Sequence, residues 1–191
     1  MIHRQYFFDS VRDSLFGGTL SDDQVQGLTV FLDWYDKEGL IEAVDDRGLA
    51  YMLATAYHET AQTMQPIAEY GKGEGYDYGE PDSETGETYY GRGYVQLTWK
   101  DNYQKQDDKL ELHGVLVEKP DTAMHPEIAQ QVICYGMLDG DFTGKKISQF
   151  LTDAETNFYD ARTIVNGHDR AEDIAGYATK FLNAITHTRR K

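Results

Sequence analysis

In Asp45-Asp46-Arg47-Gly48-Leu49-Ala50-Tyr51-Met52-Leu53-Ala54-Thr55-Ala56-Tyr57-His58-Glu59-Thr60 an apolar run ends on an imidazole, a carboxylate and a hydroxyl. The acidic pair suits a helix N-terminus, and Leu49, Met52, Leu53, Ala56 and Tyr57 recur at helical spacing on one face. At ~100° per residue Glu59 lies about 80° from Leu49, at the edge of the apolar arc, and His58 points to roughly the opposite side. The pattern predicts a core helix whose last turn holds Glu59 at the core's rim.

Upstream, Ser21 and Gln24 form a capping-box pattern, and Val25, Leu28, Phe31, Leu32 and Tyr35 continue an amphipathic helix to a stop at Gly39. Downstream, the stretch from Pro66 to Thr88 turns to glycine, tyrosine and acid. Gly71, Gly73, Gly75 and Gly79 crowd one short segment, and carboxylates at Glu74, Asp77, Glu80, Asp82, Glu84 and Glu87 argue against a buried strand. A loop of that length inside a domain is usually functional. Tyr89-Tyr90-Gly91-Arg92-Gly93-Tyr94-Val95-Gln96-Leu97-Thr98-Trp99 reads as a turn feeding a short extended segment. Helix returns with Pro126 at a first helical position, then from Phe158 to Val165 and from Ile174 to Ile185. These elements predict one mainly α domain over residues 1–191, with a central groove edged by an irregular or β-containing loop.

Composition narrows the chemistry. The chain has 191 residues, with 18 Lys and Arg against 33 Asp and Glu, a formal charge of −15, which disfavours nucleic acid as a partner. The single Cys134 sits in an apolar stretch and reads as a buried, inert thiol. The first residues lack the pattern of a secretion signal and no apolar run reaches spanning length, so a soluble protein starting in the cytoplasm, without stable membrane insertion, is expected. No cofactor is expected and no metal: a zinc helix places a second His four residues after the first, and Gln62 stands there. No Gly-x-Ser-x-Gly elbow occurs. What remains is a pair of carboxylates. Glycoside hydrolysis needs one held protonated, beside apolar packing, and one held ionised, near water or hydrogen-bond donors. Glu59 suits the first and Glu69, just past Pro66, the second.

The set His58-Glu59-Thr60, Glu69, Tyr89-Tyr90-Gly91-Arg92-Gly93-Tyr94-Val95-Gln96-Leu97-Thr98 with Asn102-Tyr103, and Ile164-Val165-Asn166-Gly167, in this order, resembles glycoside hydrolase family 19 over about residues 20–185. That family has a lysozyme-like α-helical fold and includes chitinases and phage endolysins; Pro66-Ile67-Ala68-Glu69-Tyr70-Gly71 looks most like the phage branch. The resemblance implies Glu59 as general acid and Glu69 as general base, with Thr98 helping to hold the attacking water. It also implies Gln96, Asn102 and Asn166 as sugar-binding polar groups and Tyr90 as a wall of the groove. Glu80, Glu84 and Glu87 stay open as substitutes for Glu69. Arg92, between two glycines, is expected to pair with a carboxylate or loop.

An inverting reaction follows from the resemblance, with roughly 6.5 to 9.5 Å between the carboxyls. The expected substrate is the β-1,4-linked glycan of peptidoglycan, cut by an endolysin that lyses the host wall. Chitin and a silent wall-binding or virion component are the alternatives. Such an enzyme is expected to be a monomer that waits in the cytoplasm of the infected bacterium and reaches the periplasm and wall through a separate holin-like pore.

Overall fold

The computed structural model describes residues 2–37 and 44–186. Helix α3 (Asp46–Glu59) starts where the acidic pair predicted, with the Asp45 carboxylate accepting from the amides of Arg47 and Gly48. The sequence pattern assigned α3 a single apolar face. In the structure every residue from Gly48 to Tyr57 is buried. The reason lies in Ala50, Ala54 and Thr55, which complete the circumference with small side chains that neighbours can cover. The Thr55 hydroxyl donates to the Tyr51 carbonyl one turn back, so its burial leaves no orphan donor.

Two compact units contain the elements. The first comprises Met1–Met64 with Cys134–Lys191. Here α3 packs chiefly on α7 (Ala171–Thr186), which buries Ile174, Ala178, Phe181 and Ile185 at helical spacing. Helix α1 (Arg4–Ser14), which was not anticipated, buries Phe7 and Val11; Phe7 stacks on Phe181 with ring centres 6.4 Å apart. Helix α2 (Asp22–Lys37) carries the predicted capping box, Ser21 N donating to Gln24 Oε1 and Gln24 N to Ser21 Oγ. Its expected stop, Gly39, lies outside the described residues. Cys134 is buried. The Phe158–Val165 stretch forms a 3-10 helix, Asp160–Ile164, rather than the expected α-helix.

The second unit is Gln65–Ile133. Its core gathers Tyr89, Leu97, Tyr103, Leu116, Val117, Ala123 and Val132. Strand β1 (Ile67–Ala68) pairs antiparallel with β2 (Arg92–Gly93), Ile67 opposite Gly93 and Ala68 opposite Arg92. Two helices of this unit were not anticipated, α4 (Lys100–Lys109) and α5 (Val115–Glu118). The buried positions of α4 are Tyr103, Gln106 and Asp107, a face with too little apolar character to reveal itself as periodicity. The Asp107 carboxylate accepts from the amides of Gly114 and Leu116, both at 2.6 Å, and so starts α5. Helix α6 (Pro126–Asp139) begins at the predicted proline. Seven α-helices and one two-stranded sheet among the described residues make the chain mainly α.

Candidate functional site

Glu59 closes α3 half-buried, its side chain 22% exposed, at the rim position its phase predicted. Its setting differs from the expected apolar border. Arg162, only 3% exposed, donates from Nη1 to Glu59 Oε1 at 2.5 Å, and its Nε donates to the Asp169 carbonyl. A guanidinium this buried must be paired, so the carboxylate and carbonyl fix it as firmly as it fixes them. The segment bearing Arg162 is tied down by Thr143, whose hydroxyl lies 2.8 and 2.9 Å from the Thr163 and Ile164 carbonyls. Oε2 of Glu59 accepts no hydrogen bond from a described residue. Nearby, burial pushes the Tyr51 phenol well up from its ordinary range. His58 stacks near Tyr177, and burial lowers its imidazole.

The chain leaves Glu59 through Ala61, Gln62 and Met64, all at positive φ without being glycine. Two features of α2 hold this exit. Gln24 Nε2 donates to the Gln62 carbonyl, and a Cβ on Gly27 would stand 1.8 Å from the Met64 carbonyl oxygen. Only glycine lets α2 lie this close.

Glu69 follows β1. Its amide donates to the Gly91 carbonyl at 2.7 Å, and the Gly91 amide returns a bond to Glu69 Oε2 at 3.0 Å. Oε1 accepts from the Tyr78 hydroxyl at 2.9 Å. Both carboxylate oxygens thus face donors, the setting expected of the base. Among the other loop acids, Glu84 pairs with Lys100 at 2.7 Å, Glu80 is exposed, and Glu87 is half-buried with its carbonyl accepting from Asp82 N.

The remaining predicted residues fall on defined supports. Gln96, at φ 54°, turns its Nε2 to the Ile67 carbonyl, bracing β1. Thr98 Oγ1 donates to the Gln96 carbonyl, and Asn102 Nδ2 to the Thr98 carbonyl. Tyr90 is buried with the Arg92 guanidinium 3.6 Å above its ring. Arg92 pairs with Asp121 at 2.8 Å and donates to the Thr88 carbonyl, as its position between glycines suggested. The Tyr103 hydroxyl receives Arg92 Nη1 and donates to the Tyr90 carbonyl; burial pushes this phenol up to about 12. Glu69, Tyr90, Gln96, Thr98 and Asn102 therefore belong to the second unit. Glu59 and Asn166 belong to the first, where exposed Asn166 donates its amide to the Arg162 carbonyl.

Sequence reasoning missed Arg162 and Tyr78. Neither carried a local signal: Arg162 is singled out only by its bond to Glu59, 103 residues away, and Tyr78 only by the backbone path that brings it to Glu69. Among the described residues no group of three His, Cys, Asp or Glu could hold a metal ion.

The chain matches no protein-family profile and no curated protein sequence. Its fold does match solved structures. Chitinase C from Streptomyces griseus superposes with a TM-score of 0.62 at 21% identity, over 97% of this chain and 78% of that one. A mutant of chitinase C gives 0.61 at 23% identity, over 96% and 76%. The family 19, class IV chitinase from Zea mays gives 0.58 at 16% identity, over 92% and 90%. The chain has the lysozyme-like, mainly α fold of family 19 chitinases.

Proposed function

We propose, from the family 19 fold, that the chain is a glycoside hydrolase that cleaves β-1,4-linked N-acetylglucosamine-containing glycan, with peptidoglycan as substrate and host-wall lysis as outcome. The observation that carries this reading is the unlike support of two carboxylates: Glu59 held at one oxygen by a buried arginine, Glu69 held at both by neutral donors.

Glu59 acts as the general acid. Arg162 occupies Oε1, so the proton leaves from Oε2 to the glycosidic oxygen, and the guanidinium then stabilises the carboxylate left behind. Glu69 acts as the general base, taking a proton from the water that attacks the anomeric carbon with inversion. Thr98 helps hold that water, Gln96, Asn102 and Asn166 bind acetamido and hydroxyl groups, and Tyr90 shapes the wall. The protein works as a monomer, accumulates in the infected cell's cytoplasm and reaches the periplasm through a separate holin-like pore. No described helix is long and apolar enough to cross a membrane. Chitin is the second reading, favoured by the chitinases among the similar structures.

Reducing-end release from purified sacculi and from a chitin oligomer tests both. The Glu59→Gln variant, which cannot donate the proton, is expected to lose more than ~100-fold in turnover. Retained activity would defeat the acid assignment, and faster cleavage of chitin than of sacculi would replace the substrate.

A further inference from the structure

Tyr78 is seated more firmly than a tyrosine of a glycine-rich surface loop needs to be. It lies on the 3-10 helix Asp77–Gly79, half-buried. Tyr76 covers its ring in parallel, with centres 5.1 Å apart and planes at 5°, and Trp99 meets it edge-on at 5.2 Å. Its carbonyl accepts from the Tyr89 amide at 3.0 Å. Beneath it the loop crosses itself: a Cβ on Gly79 would stand 2.1 Å from the Gly73 carbonyl oxygen, and one on Gly73, at φ +76°, would stand 2.9 Å from Tyr78 Cε2. The glycines permit the crossing that brings this ring up to Glu69.

Among the described residues the hydroxyl so placed has one partner, Glu69 Oε1. A carboxylate tied only at Oε2, by the Gly91 amide, could swing about its last torsion, which is soft. Tied at both oxygens it cannot. We propose that Tyr78 is a positioning residue for Glu69, its O–H setting the carboxylate plane so that the remaining lone pairs meet the attacking water in one orientation. Desolvation and the adjacent Glu69 carboxylate push the Tyr78 phenol up from its ordinary range, which keeps it a donor. Tyr78 touches no reacting atom; it acts through Glu69, and the inference rests on Glu69 being the base.

The test is Tyr78→Phe, which keeps the ring and its stacking and removes only the hydroxyl, measured beside Glu69→Gln and the parent protein. Turnover by Tyr78→Phe is expected to fall ~10-fold with KM unchanged, the loss of one hydrogen bond to a charged group. The acidic limb of its pH–rate profile is expected to move to higher pH, because a carboxylate that loses a donor holds its proton more tightly. NMR titration of the Glu69 side-chain carboxyl carbon reads the same displacement without turnover, and the thermal midpoint should stay put. An unmoved limb and an unmoved titration would overturn the proposal, even if turnover fell at every pH, since a structural role alone predicts that. Full activity in Glu69→Gln would instead bring down the base assignment itself, whereas an inactive Glu69→Gln beside an unaltered Tyr78→Phe removes only the positioning role.

Discussion

Glu59 and Glu69 are two carboxylates supported by opposite means. Glu59 ends a helix in which the ten residues from Gly48 to Tyr57 are buried, and a cation from a distant 3-10 helix grips one of its oxygens. Glu69 sits past a two-residue strand, in a loop rich in glycine, and a phenol and a backbone amide hold its two oxygens. A cation answers the charge of an acid group after it has given up its proton. Neutral donors fix orientation without adding charge. The difference teaches that two carboxylates of one chain can be fixed by unlike means, one through charge and one through orientation.

The largest test of the comparison is to neutralise each carboxylate in turn. Glu59→Gln and Glu69→Gln are both expected to lose more than ~100-fold in turnover, and if one of them keeps activity the comparison concerns one functional group rather than two. Next comes the grip on the acid. Arg162→Met leaves Glu59 without its cation, and turnover should drop by roughly 10- to 100-fold, with stability lower by about 2 kcal/mol because the stranded carboxylate is still partly open to water. A carboxylate without a cation keeps its proton to higher pH, so the alkaline limb of the pH–rate profile should shift upward. Tyr78→Phe moves the acidic limb instead. Rates for the two variants across pH check this; movement of the same limb in both would mean that the roles are misassigned.

These two supports also mark where sequence reading stopped. The capping box at Ser21 and Gln24, the start of α6 at Pro126 and the rim position of Glu59 were legible because each depends on residues a few positions apart along one helix. Arg162 lies 103 residues from Glu59, and nothing local distinguishes it from a solvated arginine. Tyr78 is only 9 residues from Glu69, yet its approach depends on the backbone crossing at Gly73 and Gly79, which glycine content permits without specifying. Helix α4 escaped for another reason, since its buried face carries the polar Gln106 and Asp107, and Asp107 is held by the amides of Gly114 and Leu116 rather than by apolar packing.

A smaller effect is expected at the close approach behind Glu59. On helix propensity alone Gly27→Ala should stabilise α2 by up to about 1 kcal/mol. The new methyl, however, would fall 1.8 Å from the Met64 carbonyl oxygen, which is backbone and cannot swing away. Overpacking of this kind costs about 1–3 kcal/mol, so we expect net destabilisation near 1–2 kcal/mol and a thermal midpoint lower by roughly 2–8 °C. The strained turn after Glu59 would have to shift with it, reducing turnover a few-fold. A higher midpoint in a thermal melt would show that α2 and the turn separate freely.

The smallest effect belongs to the surface of the Glu69 loop, where the side chain of Asp82 accepts from Lys100 Nζ at 2.8 Å and from the amides of Thr85 and Glu84. The Lys100 bond first, then the Thr85 amide, lowers this carboxyl from 3.8 to about 2. A carboxyl held lower in the folded than in the unfolded chain contributes its stability fully above the unfolded value, and that contribution is lost as pH falls through the folded one. The turn Asp82–Glu87 should therefore keep its amide protection at pH values near 4 and lose it towards pH 2. Lys100→Met removes the leading cause and should raise the midpoint of the Asp82 carboxyl in an NMR titration towards its ordinary value. An unchanged midpoint in that variant would assign the lowering to the backbone amides alone, and the turn would then owe its acid resistance to its own Asx geometry rather than to the lysine.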